Sequence, residues 1–348
     1  MRTQVYKILD PDSPDREIIE SSAQKIREGG LVVFPTETVY GLGADATNED
    51  AVASIFEAKG RPSDNPLIIH VATPQDAEKY AYTSELYFKL AERFMPGPLT
   101  VILKSRENIP KRTRGGLDTV AVRCPQSIVA RELIKAAGTP IAAPSANLSG
   151  SPSPTSAVHV IDDMMGRVDI IIDGGDSDFG LESTIVKIED DNSLTLLRPG
   201  KITIEDLQEV AYTNIAEAVT DKLKDGEVAL SPGMKYRHYA PRAPLILIDG
   251  SAERLINYIK HINRTKIAVI AYDEDVSVIS SQLPDVRVYS FGSSNDAYTQ
   301  AHNLFSILRE ADGENFDEIY APLPKTSGIS LALYNRMIRA AAHKIIRL

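Results

Sequence analysis

A single cysteine, Cys124, stands among 348 residues. One thiol excludes an internal disulfide and any zinc or iron–sulfur centre built from several cysteines, and it suits a reducing compartment. Positive charge is also short: 38 Lys and Arg face 48 Asp and Glu, for a net charge of −10. Such a chain lacks the basic face that bulk nucleic-acid binding needs. No stretch approaches the roughly 18 apolar residues of a membrane span. The first residues, MRTQVYKILDPDSPDRE, hold no apolar signal core, so a cytoplasmic location is expected. GxxxxGK[ST], HExxH and GxSxG are all missing, and the six histidines lie far apart. A phosphate-loop enzyme, a metalloprotease and a serine hydrolase are therefore not indicated.

What remains reads as a folded α/β protein, with 43% hydrophobic and 25% charged residues. The length suits two domains of about 150 residues each. Helical periodicity over 16–28, stopped by Gly29 and Gly30, leads into the apolar run LVVF. Helices near 49–58, 84–94, 127–137 and 155–165 then alternate with strands at 66–71, 99–104, 119–123, 140–143 and 168–173. STIVKIED and SLTLLRPG read as a hairpin around Asp191 and Asn192, which points to a mixed sheet. GLGADA (41–46) formally matches GxGxxA, but PTETVY separates it from the preceding strand, so it reads as a tight turn. The pattern weakens after Ala211, and the Pro- and Gly-containing segment 231–244 breaks it, which places a linker at 211–244 between a first domain at 1–210 and a second at 245–348. The second alternates LILID, a helix at 252–262, KIAVIAYD, a helix-poor stretch, VRVYSF, a helix at 296–308, DEIYAPL and a helix at 331–346. A small, Rossmann-like parallel sheet is expected there.

Polar residues recur where structure alone does not ask for them. KGRPSDNPLIIH puts Lys59 and Arg61 in a Gly/Pro turn, followed by Asn65 and, beyond an apolar strand, His70. Two cations on a turn can hold a triphosphate; a solvated basic turn is the competing reading. TVAVRCP begins at Thr119 and ends a strand at Arg123, where a guanidinium can meet a carboxylate in a ligand crevice or close a rim salt bridge. APSANLSGSPSPT, from Ala143 to Thr155, offers Ser145, Asn147 and Ser153 in a loop entering a helix, suited to phosphate or ribose or simply to capping. LESTIV sets Ser183 at a strand entry, and LLRPG ends the partner strand with Arg198. From Lys104 to Arg123 run six basic and two acidic residues without interleaved aromatics to stack bases.

Taken in order, FPTETVYGLGADA, KGRPSDNPLIIH, PGPLTVIL, VAVRCP, APSANLSGSPSPT, LESTIV, LLRPG and SPGMKYRHYAP resemble the threonylcarbamoyl-AMP synthase family in its two-domain form with a YrdC-like catalytic domain. The resemblance implies a reaction of L-threonine, bicarbonate and ATP to L-threonylcarbamoyl-AMP and pyrophosphate, serving threonylcarbamoyladenosine formation at position 37 of tRNA. It also implies hand-off of the product to the tRNA threonylcarbamoyl transferase machinery, with weak or no direct tRNA contact. Matching motifs assign Thr38, His70, Arg123 and Ser183 to threonine, with Ala143 contributing backbone. They assign Lys59, Arg61, Asn65, Thr119, Ser145, Asn147, Ser153 and Arg198 to ATP, with Tyr236 of the linker closing over it. No nucleophile or general base stands out, so catalysis is expected to proceed by positioning and charge neutralisation, with Mg²⁺ offsetting the charge of ATP. The basic, tyrosine-bearing segment SPGMKYRHYAP reads as a lid. The alternative is a nucleotide- or RNA-binding regulatory protein without synthase activity. A related carbamoyl transferase carrying zinc fingers is excluded by the single cysteine.

Overall fold

Local chemistry sets the first elements of the chain. Strand β1 (Gln4–Lys7) precedes helix α1 (Arg16–Arg27), which the Asp15 carboxylate caps by accepting from the amides of Glu17 and Ile18. Ile19, Ala23 and Ile26 form its buried stripe, and Gly29, at φ 81°, turns the chain toward β2 (Val32–Phe34). The computed structural model describes residues 2–63, 65–221, 239–262 and 266–348. By its internal packing the chain divides into two units, Met1–Ser149 with Ser153–Lys235, and Gly150–Pro152 with Tyr236–Leu348.

The first unit continues through β3 (Gly41–Asp45), α2 (Glu49–Lys59), β4 (Ile68–His70), β5 (Ala81–Tyr82), α3 (Glu85–Phe94), β6 (Leu99–Ser105) and β7 (Thr119–Arg123). It then runs through α4 (Ile128–Ala137), β8 (Ile141–Ala142), α5 (Ala157–Met164), β9 (Ile170–Asp173), β10 (Thr184–Ile188), β11 (Leu194–Arg198), α6 (Ile204–Gln208) and β12 (Thr213–Ile215). Among the described residues these strands form one mixed sheet in the order β1-β9-β2-β3-β8-β4-β7-β6-β10-β11-β12, with β5 added on β6. Ile19 and Ile26 of α1 pack with Leu133 and Ile134 of α4 and with Val32 and Ile172 of the sheet, which fixes one face. Register places the polar residues. β4 runs parallel to β7 with His70 opposite Arg123, β6 runs antiparallel to β7 with Thr100 opposite Arg123, and β10 lies parallel to β6 with Thr184 opposite Leu99. β10 and β11 form the expected hairpin, with Ile185 opposite Arg198.

The second unit contains β13 (Leu245–Asp249), α7 (Ala252–His261), β14 (Ile267–Ala271), α8 (Asp273–Gln282), β15 (Arg287–Ser290), α9 (Ala297–Asp312), β16 (Glu318–Pro322), α10 (Ser330–Ala340) and β17 (Ile345–Arg347). Its sheet, β15-β14-β16-β13-β17, is parallel throughout, as expected for a Rossmann-like fold.

Three local expectations are corrected. GLGADA is no tight turn but strand β3, antiparallel to β2, and neither Gly41 nor Gly43 adopts a left-handed φ. The glycines are there for space: a Cβ at Gly43 would come within 2.7 Å of the Phe34 and Ile141 side chains. The stretch expected to be helix-poor forms α8, with Asp273, Glu274 and Asp275 in the first turn where the helix dipole favours them. The last helix ends at Ala340, because Ala342 and His343 take left-handed φ values of 49° and 64°, and the chain returns to the sheet as β17.

Candidate functional site

Arg123, at the end of β7, is the centre of a buried polar group. Its Nη2 donates to Glu37 Oε1 at 2.6 Å, with both side chains 5% exposed, and its Nε lies 3.4 Å from the Gly97 carbonyl. Nη1 has no acceptor among the described residues, so one corner of the guanidinium is open to a ligand. This is no rim salt bridge. Glu37 sits in the turn after β2, where the Thr36 hydroxyl donates to the Val39 carbonyl at 2.6 Å and lies 2.9 Å from the Thr38 hydroxyl. The Glu37 carbonyl accepts from the Phe179 amide at 2.9 Å, which holds the turn in place.

His70, the register partner of Arg123, is buried and its ring meets Phe34 edge-on at 6.0 Å. Nδ1 lies 3.3 Å from the Ile141 carbonyl, which can only accept, so this contact is a hydrogen bond in the tautomer protonated at Nδ1. Burial, helped by the Arg123 charge, pushes the His70 imidazole down to about 3, so it is neutral at physiological pH. Beyond Arg123, the Ser183 hydroxyl lies 2.8 Å from the Thr100 hydroxyl and accepts from Arg198 Nη2 at 3.1 Å; Arg198 Nε donates to the Ser183 carbonyl at 3.0 Å. Arg198, assigned by motif to ATP, is thus joined directly to a residue assigned to threonine. The Ala143 amide is used by the Ile68 carbonyl at 3.0 Å, so only its own carbonyl can serve a ligand.

A second group gathers around Lys59. Expected in a turn, Lys59 instead ends helix α2 and is 3% exposed. Its ammonium donates to the carbonyls of Ser145 and Asn147, each at 2.6 Å, and so braces the serine loop after β8. Within that loop the Ser145 hydroxyl donates to Asn147 Oδ1 at 2.5 Å. Arg61 is buried too, over the Phe56 ring at 5.9 Å, so this is no solvated basic turn. Asn65 is fully buried with no hydrogen-bond partner among the described residues for either end of its amide, an arrangement that asks for a polar ligand. Ser153 donates to the Glu182 carboxylate next to Ser183, tying the serine loop to the first group. Thr119 stands apart, starting the strand that Arg123 ends and facing Lys104 across to β6. Tyr236, with the rest of 222–238, lies outside the described residues.

Sequence reasoning missed Glu37, Thr36, Thr100 and Glu182. Thr100 carried a signal: a hydroxyl within the buried run of β6. Glu37 carried another, as the lone acid in PTETVY, whose other residues are uncharged. Aromatics also accompany the basic segment after all, because β5 sets Tyr82 opposite Lys104, with Arg106 4.5 Å from its ring centre. Among the described residues no group of three metal-ligating side chains occurs, and no helix is long and apolar enough to cross a membrane.

Two family models cover most of the chain: one described as "Telomere recombination", for Sua5, YciO and YrdC, matches residues 24–200, and one described as "Threonylcarbamoyl-AMP synthase, C-terminal domain" matches residues 202–342. A protein of Pyrococcus abyssi named threonylcarbamoyl-AMP synthase is 44% identical over 335 residues, covering 94% of this chain and 95% of that one. A protein of the same name from Bacillus subtilis is 42% identical over 345 residues, covering 98% and 97%. The crystal structure of P. abyssi Sua5 complexed with L-threonine matches with a TM-score of 0.89 at 43% identity, over 99% of this chain and 100% of that one.

Proposed function

The chain belongs to the threonylcarbamoyl-AMP synthase family of enzymes, and from that membership we propose that it converts L-threonine, bicarbonate and ATP into L-threonylcarbamoyl-AMP and pyrophosphate. The observation that carries this reading is the open corner of the buried Arg123 guanidinium among the hydroxyls of Thr38 and Ser183 and the neutral imidazole of His70. A guanidinium suits a carboxylate, and hydroxyls and a neutral imidazole suit the threonine side chain. A relative of known structure was crystallised with L-threonine, in keeping with that chemistry.

The Lys59 group is the proposed nucleotide side. Lys59 holds the serine loop in shape, Arg61 and Asn65 offer buried donors, and Ser145, Asn147 and Ser153 present the loop, with Thr119, Arg198 and Tyr236 completing the assignment. Mg²⁺ would ride on the triphosphate and neutralise its charge, with phosphate oxygens as its principal ligands. The residues themselves would align the threonine nitrogen with the carbon it attacks, and the carbamate with the α-phosphorus, so positioning and fixed charge do the chemical work. The product would pass to the machinery that modifies position 37 of tRNA. Incubation with ATP, labelled bicarbonate, Mg²⁺ and each amino acid in turn tests the proposal. Pyrophosphate and labelled adenylate should form with threonine and stop when EDTA is added; release with no amino acid present would refute it.

A further inference from the structure

The basic loop 106–118, which joins β6 to β7, supplies no side chain to either group at the site, yet it is tightly built. Its ends close where the Ser105 amide donates to the Asp118 carbonyl at 2.9 Å. The Arg114 side chain, 11% exposed, spans the loop, with Nε donating to the Ile109 carbonyl at 3.0 Å and Nη1 to the Leu117 carbonyl at 2.8 Å. Thr113, fully buried, ties the loop to its surroundings: its hydroxyl donates to the Ala46 carbonyl and its carbonyl accepts from the Leu67 amide, each at 2.9 Å. Two residues on, Gly115 takes a left-handed φ of 59° against the backbone of Asn65 and Pro66. A Cβ there would come within 2.8 Å of the Pro66 nitrogen and 3.2 Å of the Asn65 carbonyl carbon, so only glycine lets the two segments meet this closely.

We propose that this loop positions Asn65, and that Thr113 and Gly115 are positioning residues for ATP acting through it. This rests on the reading of Asn65 as a nucleotide residue. The Asn65 amide makes no hydrogen bond among the described residues, so no side-chain bond aims it in the empty site. Its direction is set through the backbone. Pro66 disfavours a helical turn at Asn65, Thr113 fastens the Leu67 amide, and Gly115 packs on the peptide that joins Asn65 to Pro66. A polar group held in place before the ligand arrives loses little freedom on binding, which is how a neutral amide adds to the affinity for a charged ligand. The exposed cations stand outside this arrangement: Lys111 faces solvent, and Arg112 reaches Glu49 at 3.6 Å. Backbone shape, and not charge, is what the loop contributes.

The test is a double-mutant cycle on the full chain, read by titration calorimetry with ATP and Mg²⁺ and, separately, with L-threonine. Asn65→Ala should weaken ATP about 10- to 150-fold, the range of one charge-assisted hydrogen bond. Gly115→Ala should weaken ATP about 10-fold and threonine by less than about 2-fold. In the Asn65→Ala background the same glycine change should cost ATP less than about 2-fold, because the group it positions is gone. Equal cost in both backgrounds would mark a merely structural effect and overturn the proposal, as would threonine weakening in step with ATP. Thermal melting reports folding of each variant. Where Gly115→Ala does not fold, Thr113→Val, which loses the bond to Ala46, carries the same cycle; it should weaken ATP about 3- to 10-fold, and Thr113→Ser, which keeps the hydroxyl, should restore the affinity. Unchanged ATP binding in folded Gly115→Ala, or in Thr113→Val where it carries the cycle, overturns the positioning role. Lys111→Ala should bind ATP like wild type; a loss equal to that of Gly115→Ala would make the loop act by charge and overturn the proposal as well. If Asn65→Ala itself binds ATP like wild type, the nucleotide reading beneath the proposal fails instead.

Discussion

Replacing Lys59 by methionine separates two jobs that one ammonium performs. Methionine keeps a long apolar stem inside the end of α2 but deletes the donor to the Ser145 and Asn147 carbonyls, both at 2.6 Å. A buried acceptor left unpaired costs about 1–3 kcal/mol. Asn147 is 5% exposed and bears the larger share, whereas the partly exposed Ser145 carbonyl can recruit water, so the combined cost is about 2–4 kcal/mol. For a unit of this size each kcal/mol moves the melting point by roughly 2–4 °C, so Lys59→Met should melt about 4–16 °C lower. Calorimetric melting with and without ATP and Mg²⁺, together with pyrophosphate release, gives both readouts. The ligand-induced rise in melting temperature should shrink along with turnover, because the loop that would carry the nucleotide has lost its brace. A variant melting within 1 °C of wild type would refute the bracing role. One that melts low yet keeps the full ATP-induced rise would refute the nucleotide role.

Amino-acid choice should follow the hydroxyls around Arg123. Valine, which would leave them unpaired, should release pyrophosphate about 10⁴-fold less efficiently than threonine, and serine only about 10- to 200-fold less, as measured by kcat/KM; equal use of valine and serine would exclude a polar pocket. His70, held near 3 by burial and by Arg123, stays neutral in the folded chain while the unfolded chain takes up a proton near 6.5, so it should erode stability as pH falls from about 6.5 toward 3. Denaturant melts of His70→Gln should show a shallower acid loss than wild type, by at most about 1.4 kcal/mol per pH unit, and a pH profile of activity should carry no inflection from this imidazole. Cys124 is fully buried and its thiol is pushed up to about 12 by that burial, so a thiol reagent should label the native chain only after unfolding. Rapid labelling under native conditions would contradict the packing of β7 against its neighbours.

Much of the fold was legible because its signals were periodic. α1, α2, α4 and β7 follow from apolar spacing, and in the structure Asn48 and Ser127 cap the starts of α2 and α4. β3 was hidden because its glycines answer to Phe34 and Ile141, residues distant in sequence or across the sheet, and no local rule reports such crowding. β17 was hidden because an apolar tail after a helix reads as more helix until Ala342 and His343 turn it. At the site, motif order assigned Arg123, His70 and Ser183, but the slight signals of Thr100 and Glu37 gained meaning only when register set Thr100 opposite Arg123 and the turn after β2 brought Glu37 to it. The place of Lys59 at the end of α2, and not in a turn, was hidden for a related reason. Gly60 and Pro62 suggested a turn, whereas two carbonyls more than eighty residues away make the burial of its ammonium tolerable.

The hydrogen bond from Arg198 to Ser183, continued to Thr100, has a thermodynamic side. On the proposed assignment, one end of this strip serves the nucleotide and its middle serves the amino acid, and Ser183 has a single hydroxyl proton to aim. When Arg198 is drawn to a phosphate, Ser183 Oγ loses a donor and a lone pair is freed for another, so occupancy of one subsite changes the free energy of filling the other. Linkage then requires reciprocity: whatever factor ATP imposes on threonine affinity, threonine imposes on ATP, and couplings of this kind commonly amount to about 5- to 150-fold. Such an enzyme has no single dissociation constant for either substrate, only a surface of values over the concentrations of both.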